Sequence, residues 1–135
     1  MAAFTRYEEI EIWRLGRDLV KDVYEVARRG AFAKDWGLRD QIQRAAVSIC
    51  SNVAEGFERR GNKEFIKFLW IAKGSAAEVS SQLYHAKDFN YISNEEFDLL
   101  YAKAKKVSAL GIADANLQHI IYVTKYSKLK NKAKG

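Results

Sequence analysis

Apolar residues recur at spacings of three and four along almost the whole chain, and turn signals divide that pattern into four long helices. The first is expected from about Glu8 to Arg29. Thr5 and Glu8 have capping-box spacing, and Glu8, Glu9 and Glu11 place negative charge where the helix dipole favours it. Ile10, Trp13, Gly16, Val20, Val23 and Ala27 form the inner stripe, widened by Ile12, Leu19 and Val26. The segment from Gly30 to Gly37, with a glycine at each end, reads as a loop folded back on the bundle.

A second helix is expected from about Leu38 to Glu58, with an apolar side of Ala45, Ala46, Ile49, Val53 and Gly56 that favours close packing. After Arg59, Arg60 and Gly61, Asn62 is a candidate N-cap for a third helix reaching Phe89. Phe65, Phe68, Leu69, Ala72, Ala76, Val79, Leu83 and Ala86 line its inner side. Asn90 can take the left-handed conformation that ends a helix, and Ser93 with Glu96 forms a capping box for a fourth, running to about Tyr126. There Phe97, Leu100, Ala104, Val107, Gly111, Gln118 and Ile121 trace one side, Leu110, Ala113, Leu117 and Ile120 a neighbouring one, and Gly111 and Asp114 weaken the seam midway. The pattern predicts an all-α protein, an antiparallel up-down four-helix bundle over residues 1–124 followed by a Lys-rich, flexible tail over 125–135.

Two features exceed what a core demands. On the second helix Arg44, Ser48, Asn52, Glu55 and Arg59 fall on one narrow stripe, with a counterpart in Ser75, Glu78 and Gln82 on the third. Polar groups beside a core edge must face water or satisfy one another, because an unpaired buried one costs about 1–3 kcal/mol. Arg44, Ser48, Asn52, Glu55, Ser75, Glu78 and Gln82 are therefore expected to form a polar clasp that sets the register of the two helices. The second feature is an apolar line of Ile66, Trp70, Ala77 and Tyr84, roughly 140° around the third helix from its core stripe. One core needs only one face, so this line is expected to be an interface between subunits.

Length and composition narrow the function. With 135 residues the chain is long enough for one core without disulfides, and no uninterrupted apolar run of about 18 residues exists to span a membrane. No secretory signal is visible at the N-terminus, which makes the cytoplasm the expected location. The net charge of +6 is unevenly placed: residues 1–98 carry 15 Lys and Arg against 16 Asp and Glu, whereas 99–135 carry 8 Lys against Asp114 alone. Such a block favours an acidic partner, nucleic-acid phosphates first.

Catalytic chemistry finds little support. Cys50 is the one cysteine and reads as a packing residue. His85 and His119 are the only histidines, and neither follows a glutamate by three residues, so the Glu-x-x-His pairs of a di-iron bundle are missing. A glycine-rich phosphate loop is absent as well. Glu55 and Glu78 could serve as an acid and base pair, but Arg44, Arg59 and Gln82 stand at matching heights, which favours a satisfied network. No enzyme activity, cofactor, metal or small-molecule substrate is expected.

The run RAAVSICSNVAEGFERRGNKEFIKFLWIAKGSAAEVSSQL resembles the four-helix-bundle proteins encoded in intervening sequences of bacterial 23S ribosomal RNA genes. The Ile12-Trp13 pair, the lead-in from Gln41 to Arg44, the Ser48, Asn52, Glu55, Gly56 core and the Gly74, Ser75, Glu78 step follow that family's pattern in order, and the resemblance covers residues 7 to 110. Cys50 departs from it, standing where the family often has proline, as does the LGIADANLQ stretch, which replaces a more continuous leucine seam. The resemblance implies a bundle that assembles as a ring-shaped homopentamer. The chain also looks like the accessory proteins of diversity-generating retroelements, basic pentameric barrels that engage nucleic acid.

The leading reading is a non-enzymatic, oligomeric RNA-binding protein, with Arg59, Arg60, Lys63 and Lys67 at one bundle end and Lys125, Lys128, Lys130, Lys132 and Lys134 on a flexible arm as the contacts. The alternative is a protein-interaction scaffold or accessory subunit without a direct nucleic-acid role, in which the face around Trp70 matters and the lysines are incidental.

Overall fold

The computed structural model describes residues 4–134, apart from the side chains of 118–123, 126, 133 and 134. Among the described residues it contains helices and turns only: α1 (Glu11–Ala27), α2 (Gly30–Lys34), α3 (Trp36–Glu58), α4 (Asn62–Asp88) and α5 (Asn94–Lys134), preceded by a single 3-10 turn at Tyr7–Glu9. No described helix is long and apolar enough to cross a membrane.

The N-terminus differs from the expected continuous helix. Ile10 is extended at ψ 124°, which separates the 3-10 turn from α1 and starts the helical phase at Glu11. Thr5 is tied to Glu9 rather than Glu8, through its backbone N–H at 3.0 Å and its hydroxyl at 2.9 Å. These bonds hold the Glu9 carboxyl below its ordinary range. The buried side of α1 is consequently Ile12, Gly16, Leu19, Val23, Val26 and Ala27, while Trp13 and Val20 are only half-buried.

The segment expected as a loop folds into α2. Gly30 turns the chain with φ 50°, Phe32 is fully buried, and Asp35 then caps α3 by accepting from the Leu38 N–H at 3.2 Å. Tyr91 donates to the other Asp35 oxygen at 2.9 Å and stacks on Phe32, so the end of α4 is tied to the start of α3. Asn90, at φ 59°, ends α4 as anticipated from its tolerance of left-handed backbone.

Short connections between long helices force antiparallel neighbours, and the contacts bear this out. On α3 and α4, Gln41 meets Gln82, Ser48 meets Ser75 and Phe57 meets Phe65. Between α4 and α5, Tyr84 meets Phe97 and Tyr101, while Gly111 lies against Leu69 and Lys73. Lys103 pairs with Asp22 and Arg29 with Glu96, which closes α5 back onto α1. The result is an up-down four-helix bundle whose core runs from Ile10 to Ala115.

Glycines on inner faces set how closely the helices approach. A Cβ at Gly16 would lie 2.9 Å from Ile49, and one at Gly111 would lie 3.2 Å from Ile12. Gly111, expected to weaken the seam of α5, is instead where that helix packs tightly on α1 and α4, and Ala115 continues the buried side beyond it. The Ser93 and Glu96 box forms as expected, with bonds of 3.0 and 3.1 Å. From there α5 runs on through Lys134, past Tyr126, because the Lys, Leu and Ala of its last turns are good helix formers with no breaker among them. Of the residues expected on its apolar sides, Ala113 and Leu117 are exposed, and the side chains of Gln118, Ile120 and Ile121 lie outside those described.

Candidate nucleic-acid interface and the polar seam

The α3 and α4 helices approach closely because Gly56 admits Phe68: a Cβ there would stand 2.5 Å from the Phe68 Cβ. Small side chains at the next levels then meet directly. Ser48 Oγ and Ser75 Oγ are 2.6 Å apart, Asn52 Nδ2 donates to the Ser48 carbonyl at 2.8 Å and to its Oγ at 3.1 Å, and Ser75 donates to the Ile71 carbonyl at 3.3 Å. Since Ser75 spends its proton on Ile71, Ser48 must donate to Ser75. The chain of donors runs from Asn52 through both hydroxyls to a backbone carbonyl.

The other four residues named for the clasp lie elsewhere. Glu55 pairs along its own helix with Arg59 at 2.9 Å. Gln82 Nε2 reaches Gln41 at 3.5 Å, the limit of a hydrogen bond, and Gln82 Oε1 is buried without a partner among the described residues. Arg44 and Glu78 are exposed and form no hydrogen bond or ion pair with a described residue. Nor does Cys50 supply a nucleophile: it donates to the Trp13 carbonyl at 3.3 Å, and burial pushes its thiol up to about 11, so it is protonated at neutral pH. Among the described residues no group of three or more His, Cys, Asp or Glu could hold a metal ion.

The basic residues converge on one end. Arg59 closes α3, Arg60 takes the left-handed φ of 61°, and Gly61 rather than Asn62 is the N-cap of α4, without a side-chain bond. The Arg59 guanidinium lies over the Phe68 ring at 5.1 Å and beside Glu55, and that of Arg60 lies over Phe57 at 5.6 Å and 3.9 Å from Glu58, so both charges sit at the edge of the core. Lys63 and Lys67 are exposed on the first turns of α4. With Gly111 level with Leu69 and Lys73, α4 begins opposite about residue 120, and α5 overruns it by roughly 20 Å at 1.5 Å per residue. That overhang carries the exposed Lys125, Lys128, Lys130 and Lys132 on helical backbone; the side chain of Lys134 lies outside the described residues.

Comparison with known proteins places the chain. A family model described as 23S rRNA-intervening sequence protein matches residues 8–113. The chain belongs to that family. A crystal structure of a protein with unknown function from the S23 ribosomal protein family, from Bacteroides thetaiotaomicron VPI-5482, shares the fold with a TM-score of 0.70 at 20% identity. The match covers 77% of this chain and 97% of the other. Among curated proteins no relative matches.

In this intervening-sequence protein the line drawn through Ile66, Trp70, Ala77 and Tyr84 is not uniform. Ile66 is half-buried against the core, while Tyr84, 47% exposed, lays one side on Phe97 at 4.9 Å between ring centres and on Tyr101 at 5.6 Å. Trp70 is 45% exposed beneath Lys73, and Ala77 is exposed. Two residues outside the sequence reading belong to the outer side of the α3 and α4 pair: Val47 and Ile71, 39% and 41% exposed. Their signal lies in the pattern, since both are large apolar residues off the core stripe of their helices.

Proposed function

We propose that this member of the intervening-sequence family is a non-enzymatic, self-assembling protein that binds structured RNA through the basic end of its bundle. The observation that carries the reading is the convergence of two segments far apart in sequence. Arg59, Arg60, Lys63 and Lys67 stand at the α3 to α4 turn, and α5 extends past that same turn with Lys125, Lys128, Lys130 and Lys132. Phosphates spaced along an RNA backbone match such a spread of cations better than a single compact anion does. No base-reading motif accompanies it, so binding tolerates sequence. The resemblance to ring-forming bundles adds a homopentamer to the proposal, which at 15.4 kDa per chain sediments near 77 kDa.

Filter binding of an RNA hairpin over a salt series tests the RNA part. Contact with four to six phosphates gives a log affinity that falls with log salt with a slope of about −3 to −5. Replacing Lys125, Lys128, Lys130 and Lys132 by Gln keeps the helix and should flatten that slope. Absence of binding at low salt, or affinity that ignores salt, refutes the proposal. Unchanged binding by the Gln variant moves the interface away from α5 and favours a scaffold role for the basic helix.

A further inference from the structure

The outer ridges of α3 and α4 carry groups that serve nothing within one copy of the chain. Gly74 lies in the middle of α4, where a glycine costs about 1 kcal/mol relative to alanine. At Gly16, Gly56 and Gly111 a neighbouring side chain occupies the space that a Cβ would need, whereas a Cβ at Gly74 would meet nothing within 4 Å. Arg44 and Glu78 are exposed without partners among the described residues, and Val47 and Ile71 expose apolar surface beside them.

Register turns these singletons into a pattern. Ser48 faces Ser75 and Gln41 faces Gln82, so within one or two residues Arg44 is level with Glu78, Val47 with Gly74, Ser51 with Ile71, and Glu55 with Lys67. At the first three levels one ridge supplies a charge and the other its opposite, or one a large side chain and the other a small one, while at the last Glu55 is already held by Arg59 of its own helix. A rotation about an axis parallel to the helices moves no residue up or down. It therefore carries α3 of one copy against α4 of the next with those same levels facing.

We propose that the α3 ridge of one copy packs antiparallel on the α4 ridge of its neighbour, with Arg44 paired to Glu78 and Val47 seated on the bare backbone at Gly74. The occupant is a second copy of this chain because the matched charges and sizes lie on the chain's own two ridges. For RNA the face is a poor fit, because Glu55 and Glu78 cancel Arg44 and Lys67 there and leave no excess of positive charge. A rotation of any order about such an axis preserves height, that of the proposed ring included. The contact places the interface on the α3 side of α4, away from Tyr84, which lies against α5.

This inference rests on the self-assembly part of the proposed function and fails separately from it. Sedimentation of the full chain at micromolar concentration is compared for the parent, Arg44→Glu, Glu78→Arg and the double exchange. Each single exchange sets like charges opposite one another and should weaken association at least about tenfold, with the double exchange restoring it. Gly74→Leu, which has open space within its own copy, should dissociate the assembly without any change of charge. A parent that sediments as a 15.4 kDa monomer overturns self-assembly altogether, and this interface with it. A parent oligomer that all three single variants leave intact, or that the double exchange fails to restore, overturns this interface while assembly stands. Helical circular dichroism checks that each variant is folded.

Discussion

Gly56→Ala and Gly74→Ala apply one chemical change to two faces of the α3 and α4 pair and should act in opposite directions. Helix propensity favours alanine by about 1 kcal/mol at both sites. At Gly56 the new methyl would stand 2.5 Å from the Phe68 Cβ and 3.2 Å from its Cγ, where carbon atoms prefer about 3.5–4.0 Å. The Phe68 Cβ is fixed to the backbone of α4 and cannot swing aside, so the helices must part by about 1 Å. Overpacking of this kind costs about 1–3 kcal/mol. The parting also stretches the Ser48 to Ser75 hydrogen bond, 2.6 Å long and two turns away. The net expectation for Gly56→Ala is a loss of about 1–2 kcal/mol, seen as a Tm lower by roughly 3–8 °C for a domain of this size. Gly74→Ala meets open space and should raise the Tm by roughly 3–5 °C. Thermal unfolding by circular dichroism, in an Arg44→Glu background that removes the proposed subunit contact, measures both. A Gly56→Ala protein that melts at or above its parent would refute the close approach as the reason for that glycine.

Arg60→Gly relieves a left-handed backbone that costs a non-glycine residue about 1 kcal/mol, against the loss of its contact over Phe57. The Tm should hold or rise slightly while the salt slope for RNA falls by about 0.7–0.9; an unchanged slope removes Arg60 from the interface. Asp114 is held above its ordinary 3.8, first by burial and then by the Glu11 charge. A carboxyl raised in the fold binds more protons folded than unfolded, so its penalty is absent below the ordinary value, grows as pH rises through the raised one, and stays above it. Asp114→Asn should therefore stabilise the bundle at pH 7 and lose that advantage near pH 3, and an equal gain at both pH values would count against the burial argument.

Spacing of apolar residues was enough to determine four long helices, the inner faces of α3 and α4 and the capping of α5, because burial on one side of a helix writes itself into the sequence every three to four residues. The signature from Arg44 to Glu78 identified the family, and the Lys excess near the C-terminus was plain in the composition. Local folding that depends on distant groups was not legible. The α2 turn needs Phe32 in the core and Asp35 tied to Tyr91, a residue on the far side of α4. The clasp drew on seven residues of suitable type, yet only Ser48, Asn52 and Ser75 come together; Arg44 and Glu78 point outward at a matching height. A 3.6-residue period gives the direction of a side chain about its own axis, not its distance from the next helix. That distance was decided by Gly56 and Phe68, and with it which polar groups close the seam and which are left for a second copy.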